Sequence, residues 1–177
     1  LCESLSLAHD LGHTPFGHAG EEMLNDCMIK NGGFDHNIQT LRIVTQLEKK
    51  YYDFDGLNLS IETLDGLIKH NGPIINTYKI DKILGKNFFR EKINFKQSPS
   101  LEAQIASISD DIAYNSHDIE DGLNAKLFYI DDLKGIEVIS EIIKKNKKNY
   151  NKFDKELFTR QLIRNLINEM VKDIIQN

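Results

Sequence analysis

Residues 8–22 read AHDLGHTPFGHAGEE and place three histidines and three carboxylates within fourteen positions, although the whole chain has only six histidines. His9 and Asp10 are adjacent, so on a helix their side chains diverge by about 100°, and a cation over the helix end can still bridge them. One imidazole with one carboxylate is a mixed hard and borderline donor set that suits Mg, Mn, Fe, Co, Ni or Zn better than a sulfur-seeking metal. His13 falls four residues after His9, which on a continuous helix puts both on one face. His18 and Glu21 follow the TPFG turn and share a face of the next helix at a spacing of three. His9, His13 and His18 could also make a zinc site by themselves. Small residues surround the group (Ala8, Gly12, Gly17, Ala19, Gly20), as at a site that needs close backbone approach.

These residues must be held by helices. β-branched alternation is scarce and a period near 3.6 recurs, so the fold is expected to be all-α. Helices are expected over 2–13, 17–31, 36–51, 60–70, 78–84, 98–126, 131–147 and 154–176. Pro15 disfavours helix at Thr14 and ends the first by His13. Gly32-Gly33 and Asn71-Gly72-Pro73 read as stops. Ser98-Pro99 reads as an N-cap with proline at the first helical position and Glu102 in the first turn. The helix over 98–126 has an apolar face of Leu101, Ile105, Ile108, Ile112, Ile119 and Leu123. Asp110, Tyr114, His117 and Asp121 lie opposite, with Asp118 on the flank. KKNKKNYNK at 144–152 reads as a solvated helix end and loop. The last helix carries an apolar stripe from Leu157 to Ile175 that needs a partner.

Bulk composition narrows the function. The chain has 177 residues and a formal net charge of −5, which argues against a nucleic-acid footprint as the main partner surface. It contains no apolar run long enough to span a bilayer. Two cysteines, Cys2 and Cys27, make no disulfide framework and fit a cytoplasmic setting. The opening LCESLSLAHD already reads as the inside of a helix. The expected organisation is a core over 1–126 and a C-terminal helical segment over 127–177 that closes the same domain or begins a further part.

At this point four blocks resemble a known family: AHDLGHTPFGHAGE, NGGFDHNIQTLRIV (31–44), LSIETLDGLIKHNGP (59–73) and SLEAQIASISDDIAYNSHDIEDGL (100–123). In this order they are similar to the dGTP triphosphohydrolase-like enzymes of the HD superfamily. The resemblance implies a helical HD core, a divalent metal and hydrolysis of a deoxynucleoside triphosphate to deoxynucleoside and tripolyphosphate. It implies metal ligation by His9, Asp10 and the Asp that opens D-x-x-x-Y-x-x-x-D, which is Asp110; adjacent Asp111 is excluded only by that match. Tyr114 would pack on the deoxyribose and Asp118 would accept from its 3′-OH. His18 with Glu21 resembles the catalytic, proton-handling pair. His13 and His36 are expected as phosphate contacts, with Lys69 and His70 helping to neutralise the triphosphate. Homo-oligomers are the family's habit.

The chain also departs from the pattern. The family's first metal-binding histidine and its R-x-R-x-x-H stretch lie upstream of the His-Asp pair, and neither is among the eight residues before His9. A fragment truncated at both ends is therefore expected, with three of four ligands present and weakened metal binding. Two alternatives stand beside a dNTP triphosphohydrolase: an HD phosphohydrolase for another nucleotide, and a non-catalytic piece completed by a separate chain carrying the first histidine.

Overall fold

A computed structural model describes residues 1–84, 90–150 and 155–177. Eight α-helices are found among them: α1 Cys2–Ala8, α2 Gly17–Met28, α3 His36–Arg42, α4 Ile61–Lys69, α5 Tyr78–Leu84, α6 Leu101–Asn124, α7 Glu137–Tyr150 and α8 Lys155–Gln176. No strand occurs among the described residues, so the all-α expectation holds. No helix of the described residues is long and apolar enough to cross a membrane.

The chain forms two compact units, Leu1–Ser107 and Ile108–Asn177. The division falls inside α6, ahead of the expected boundary at 126. In the first unit Leu5, Leu41, Val44, Leu64, Leu67 and Ile80 form the centre of the core. Fully burying each such side chain contributes about 1.5–3 kcal/mol. α4 shows why it forms: Ser60 accepts from the Thr63 backbone N–H as N-cap, Glu62 sits in the first turn, and Leu64, Leu67 and Ile68 make one buried stripe. The second unit is built on Ile139, Ile142 and Ile143 of α7 packed with Phe158, Leu162 and Leu166 of α8.

Several boundaries differ from expectation. α1 ends at Ala8 rather than His13. α3 ends at Arg42 and passes into a π turn over Ile43–Leu47, so the expected helix to 51 stops short. α6 is capped by Ser100, whose Oγ accepts from the Ala103 N–H at 3.3 Å, not by Ser98. The expected apolar face of α6 divides: Ile112 is buried, whereas Leu101, Ile105 and Ile108 are exposed. Ala103 and Ala106 face the first core instead, because small side chains let a helix backbone approach closely. A 3-10 turn occupies Ile130–Gly135 where helix was expected to begin. α7 continues to Tyr150, through most of the expected basic loop; positions 151–154 lie outside the described residues. The stripe on α8 is buried at Phe158, Leu162, Ile163 and Leu166, while Val171 and Ile175 are exposed.

Candidate active site

His9 is the C-cap of α1, and residues 9–12 form a turn, closed by hydrogen bonds from the Leu11 N–H to the Ala8 carbonyl and from the His13 N–H to the Asp10 carbonyl. His9 and His13 therefore do not lie on one helical face. The cause is tertiary. The fully buried Thr40 of α3 accepts the Gly12 N–H on Oγ1 at 2.9 Å and donates its hydroxyl to the His9 carbonyl at 3.0 Å. A Cβ at Gly12 would sit 2.3 Å from the His36 carbonyl oxygen and 2.4 Å from the Thr40 nitrogen. Only glycine lets the turn lie on the start of α3. The chain then passes through Thr14-Pro15-Phe16-Gly17, with Phe16 exposed in the left-handed region at φ 67°, an uncommon conformation for an aromatic residue. α2 follows, and Gly20 permits its first turn to lie against the Pro15 carbonyl, where a Cβ would come within 1.9 Å.

Glu21 is the hub of what α2 presents. Its Oε1 accepts from the His36 backbone N–H at 2.8 Å, and both carboxylate oxygens lie 3.0 Å from His36 Nδ1. Its Oε2 also faces His18 Nδ1 at 3.6 Å, the expected i, i+3 pairing. The closer partner is thus His36, a pairing across fifteen residues that spacing could not reveal. Burial pushes the Glu21 pKa up, but the two hydrogen bonds from His36, the His36 charge and the His18 contact outweigh it and hold the carboxyl below its ordinary value of 4.5.

Five of the six histidines form one cluster. Ring centroids are 5.3 Å apart for His9 and His70, 5.9 Å for His70 and His36, 4.9 Å for His36 and His13, and 5.4 Å for His13 and His18. His18 is largely exposed, while His36 and His70 are buried. His9 Nδ1 meets the Ser6 carbonyl at 3.1 Å and His70 Nδ1 meets the Leu67 carbonyl at 2.8 Å. A carbonyl can only accept, so both rings carry the proton on Nδ1, which leaves the lone pair on Nε2; in His9 that nitrogen is buried beside Asp10. His70 is held below the ordinary histidine pKa, first by burial and then by nearby His9 and His36, against the opposing Leu67 hydrogen bond and Asp10.

Lys69 does not join this cluster. Its ammonium is buried against Asp65 at 2.7 Å and donates to the carbonyls of Asn94 and Gln97, both at 3.3 Å. Lys69, expected to help neutralise the triphosphate, here ties α4 to the 94–97 segment.

Asp110, Tyr114 and Asp118 lie one turn apart along α6, and all three side chains are exposed. Asp111 is also exposed, and its carbonyl accepts from the Asn115 side chain at 2.7 Å. These four belong to the second unit; the histidine cluster belongs to the first. The His9-Asp10 pair fits a borderline divalent cation: Asp10 Oδ2 lies 3.4 Å from His9 Nε2, the carboxylate is half exposed, and Ser6 orients the imidazole. Sequence reasoning overlooked Thr40, which carries no titratable group but holds the turn; Gly12, read there as allowing close backbone approach, was the available signal.

The HD domain family matches residues 1–115. The chain is 57% identical over 172 residues to a deoxyguanosinetriphosphate triphosphohydrolase-like protein of Pelagibacter ubique, covering 97% of this chain and 46% of that one. A protein of the same description from Bradyrhizobium sp. is 49% identical, with 97% and 44% covered. One from Parvibaculum lavamentivorans is 45% identical, with 99% and 45% covered. The chain thus spans about half the length of the curated relatives it matches. With its His-Asp turn, its helical architecture and this match over its first 115 residues, the chain belongs to the HD-domain family of metal-dependent hydrolases.

Proposed function

We propose that the chain is the catalytic portion of a dNTP triphosphohydrolase, converting a deoxynucleoside triphosphate and water to deoxynucleoside and tripolyphosphate. The observation that carries this reading is the Glu21 carboxylate bridging His18 and His36 beside the His9-Asp10 turn. The names of the relatives supply the substrate class.

A divalent cation held by His9, Asp10 and Asp110 would polarise the α-phosphate and acidify water. The remaining work falls to side chains. His18 faces Glu21 through Nδ1, so Nε2 is the nitrogen left for the substrate, and it donates from the form protonated on both nitrogens. From there it hands a proton to the departing 5′-oxygen as the bond from that oxygen to the α-phosphorus breaks; such groups contribute about 10²–10⁴-fold. His36, fixed on Glu21 through Nδ1, keeps Nε2 for a phosphate oxygen, and His13 stands beside it. Tyr114 packs on the deoxyribose and Asp118 accepts from the 3′-OH. Positioning and charge neutralisation dominate, as in phosphoryl chemistry generally.

The test is product identification with each dNTP and Mn or Mg. The expected products are deoxynucleoside and tripolyphosphate in equal amounts. His18→Ala should lower kcat by about 10²-fold or more, and Asp118→Asn should raise KM. Release of pyrophosphate or orthophosphate instead would refute the reading and favour an HD phosphohydrolase for another nucleotide.

A further inference from the structure

The unit Ile108–Asn177 carries a cavity of about 560 Å³, none of whose lining residues belongs to the histidine cluster. It lies between the end of α6, the 3-10 turn that starts at Ile130 and the start of α8. Small-molecule sites usually measure about 300–1,000 Å³. Three aromatic rings line it: Phe158, 5% exposed, with Phe128 and Tyr129. A Cβ at Gly122 would collide with the Phe128 ring, so a glycine lets that ring lie against α6. The charges at the cavity do not cancel. Four charged residues line it: Lys126, Asp131, Lys155 and Glu156. Both carboxylates already have partners, Asp131 in Lys134 at 2.6 Å and Glu156 in Arg160 at 2.5 Å. Among the described residues neither Lys126 nor Lys155 is in an ion pair. Lys126 also takes an uncommon backbone conformation. α6 ends in a Schellman turn, with the Leu127 N–H on the Gly122 carbonyl at 3.0 Å and the Lys126 N–H on the Leu123 carbonyl at 3.2 Å. Position 126 then has φ 59°, where glycine is the usual and less strained residue. Lysine there accepts the strain and adds a cation to the cavity wall.

We propose that this cavity binds a small organic anion with a flat aromatic body. Its ring packs among Phe128, Tyr129 and Phe158, and its acidic head meets Lys126 and Lys155. The combination selects this chemistry by exclusion. A neutral ring would leave two cations unused, and an inorganic anion would gain nothing from three aromatic side chains. A cationic ligand would be repelled, because the carboxylates are matched and the lysines are not. Apolar walls with a few charged groups that orient the ligand are the usual make-up of such sites. The head is a carboxylate or a phosphate ester, since either satisfies an ammonium. Both lysines are exposed, so each contributes modestly, about two- to five-fold in affinity. The rings supply the rest. The site uses only residues of the second unit and does not depend on the reaction proposed for the histidine cluster.

2-Naphthoate is titrated into the 177-residue chain by calorimetry, beside 2-naphthamide, which has the same ring and no charge. One naphthoate per chain is expected, bound at least about four-fold more tightly than the amide. Lys126→Met and Lys155→Met should each weaken naphthoate about two- to five-fold and leave the amide little changed. Equal affinity for acid and amide overturns the site, as does naphthoate affinity unchanged in the double variant. Failure of both compounds to bind at millimolar concentration overturns it too. 2-Naphthyl phosphate identifies the head. Tighter binding than naphthoate points to a phosphate ester and weaker binding to a carboxylate, and either order supports the site when the lysine substitutions reduce both affinities. A measurement on the wild type guards against a variant that does not fold. The methyl resonances of Ile130 and Thr159, which line the cavity, are followed during the naphthoate titration. Ring-current shifts that saturate with the calorimetric binding support the site; resonances unmoved at saturation overturn it.

Discussion

Replacing Thr40 with valine isolates the clamp that holds the His-Asp turn. Valine has nearly the volume of threonine, so no cavity opens, but the hydroxyl is gone. Thr40 is fully buried, and its Oγ1 both accepts from Gly12 and donates to the His9 carbonyl. Both backbone partners lose their bond at once. A buried polar group left unsatisfied costs about 1–3 kcal/mol. Gly12 is buried and His9 half-buried, so the second penalty is the smaller. Together Thr40→Val should lower stability by roughly 2–4 kcal/mol, a large share of the roughly 5–15 kcal/mol typical of a domain. Thr40→Ser supplies the control, since it keeps the hydroxyl and loses a methyl, about 1 kcal/mol. Urea denaturation of both, with the slope checked against wild type, gives the ordering. Valine must be the worse substitution although it conserves bulk. A Thr40→Val chain within about 0.5 kcal/mol of wild type, or one more stable than Thr40→Ser, would refute the argument that these two bonds hold the turn.

Gly12→Ala drives a methyl into backbone atoms of α3 at 2.3 and 2.4 Å; it should cost about 3 kcal/mol or more, beyond ordinary overpacking, and an unchanged melting temperature would contradict it. Lys69→Met leaves Asp65 and two carbonyls without their cation and should destabilise by about 3 kcal/mol; Asp65→Asn should cost at least as much, because it leaves the more deeply buried Lys69 ammonium without its counter-charge, and thermal melts of the pair check the ranking. Glu21 has a pKa below its ordinary 4.5, so its unfolded form takes up a proton first as pH falls. Its stabilising contribution is complete above about 4.5 and is lost as pH drops through the folded value. Melting curves of wild type and Glu21→Gln should therefore converge below that window and separate above it, and a gap independent of pH would argue against the linkage.

Helical class and most punctuation were legible because they depend on neighbours in sequence. Gly32 and Gly33 both take positive φ, at 113° and 81°, after the helix that ends before them. Gly72 does the same at 109° after α4. What periodicity could not show was where packing overrides local preference. The stretch 9–13 has nothing against helix except one glycine and a proline two residues on, yet Thr40, twenty-eight residues after Gly12, ends α1 at Ala8. The site divides the same way. The i, i+3 contact of His18 with Glu21, expected from spacing, is present at 3.6 Å. The shorter bonds of Glu21 to His36 join separate helices and leave no periodic trace.

Lys69 and His70 show why adjacency in a motif is a poor guide to shared purpose. Both are buried and both end α4, and their types suggest a common task of meeting phosphate. Consecutive helical residues point about 100° apart, which here is enough to send them to different surroundings. Lys69 turns to Asp65 and the 94–97 carbonyls, where a charge is fully matched. His70 turns to His9 and His36, where burial holds its pKa below the ordinary histidine value. The two residues are thus separated by their surroundings: the Lys69 ammonium meets a carboxylate and two carbonyls, and the His70 ring meets two other imidazoles.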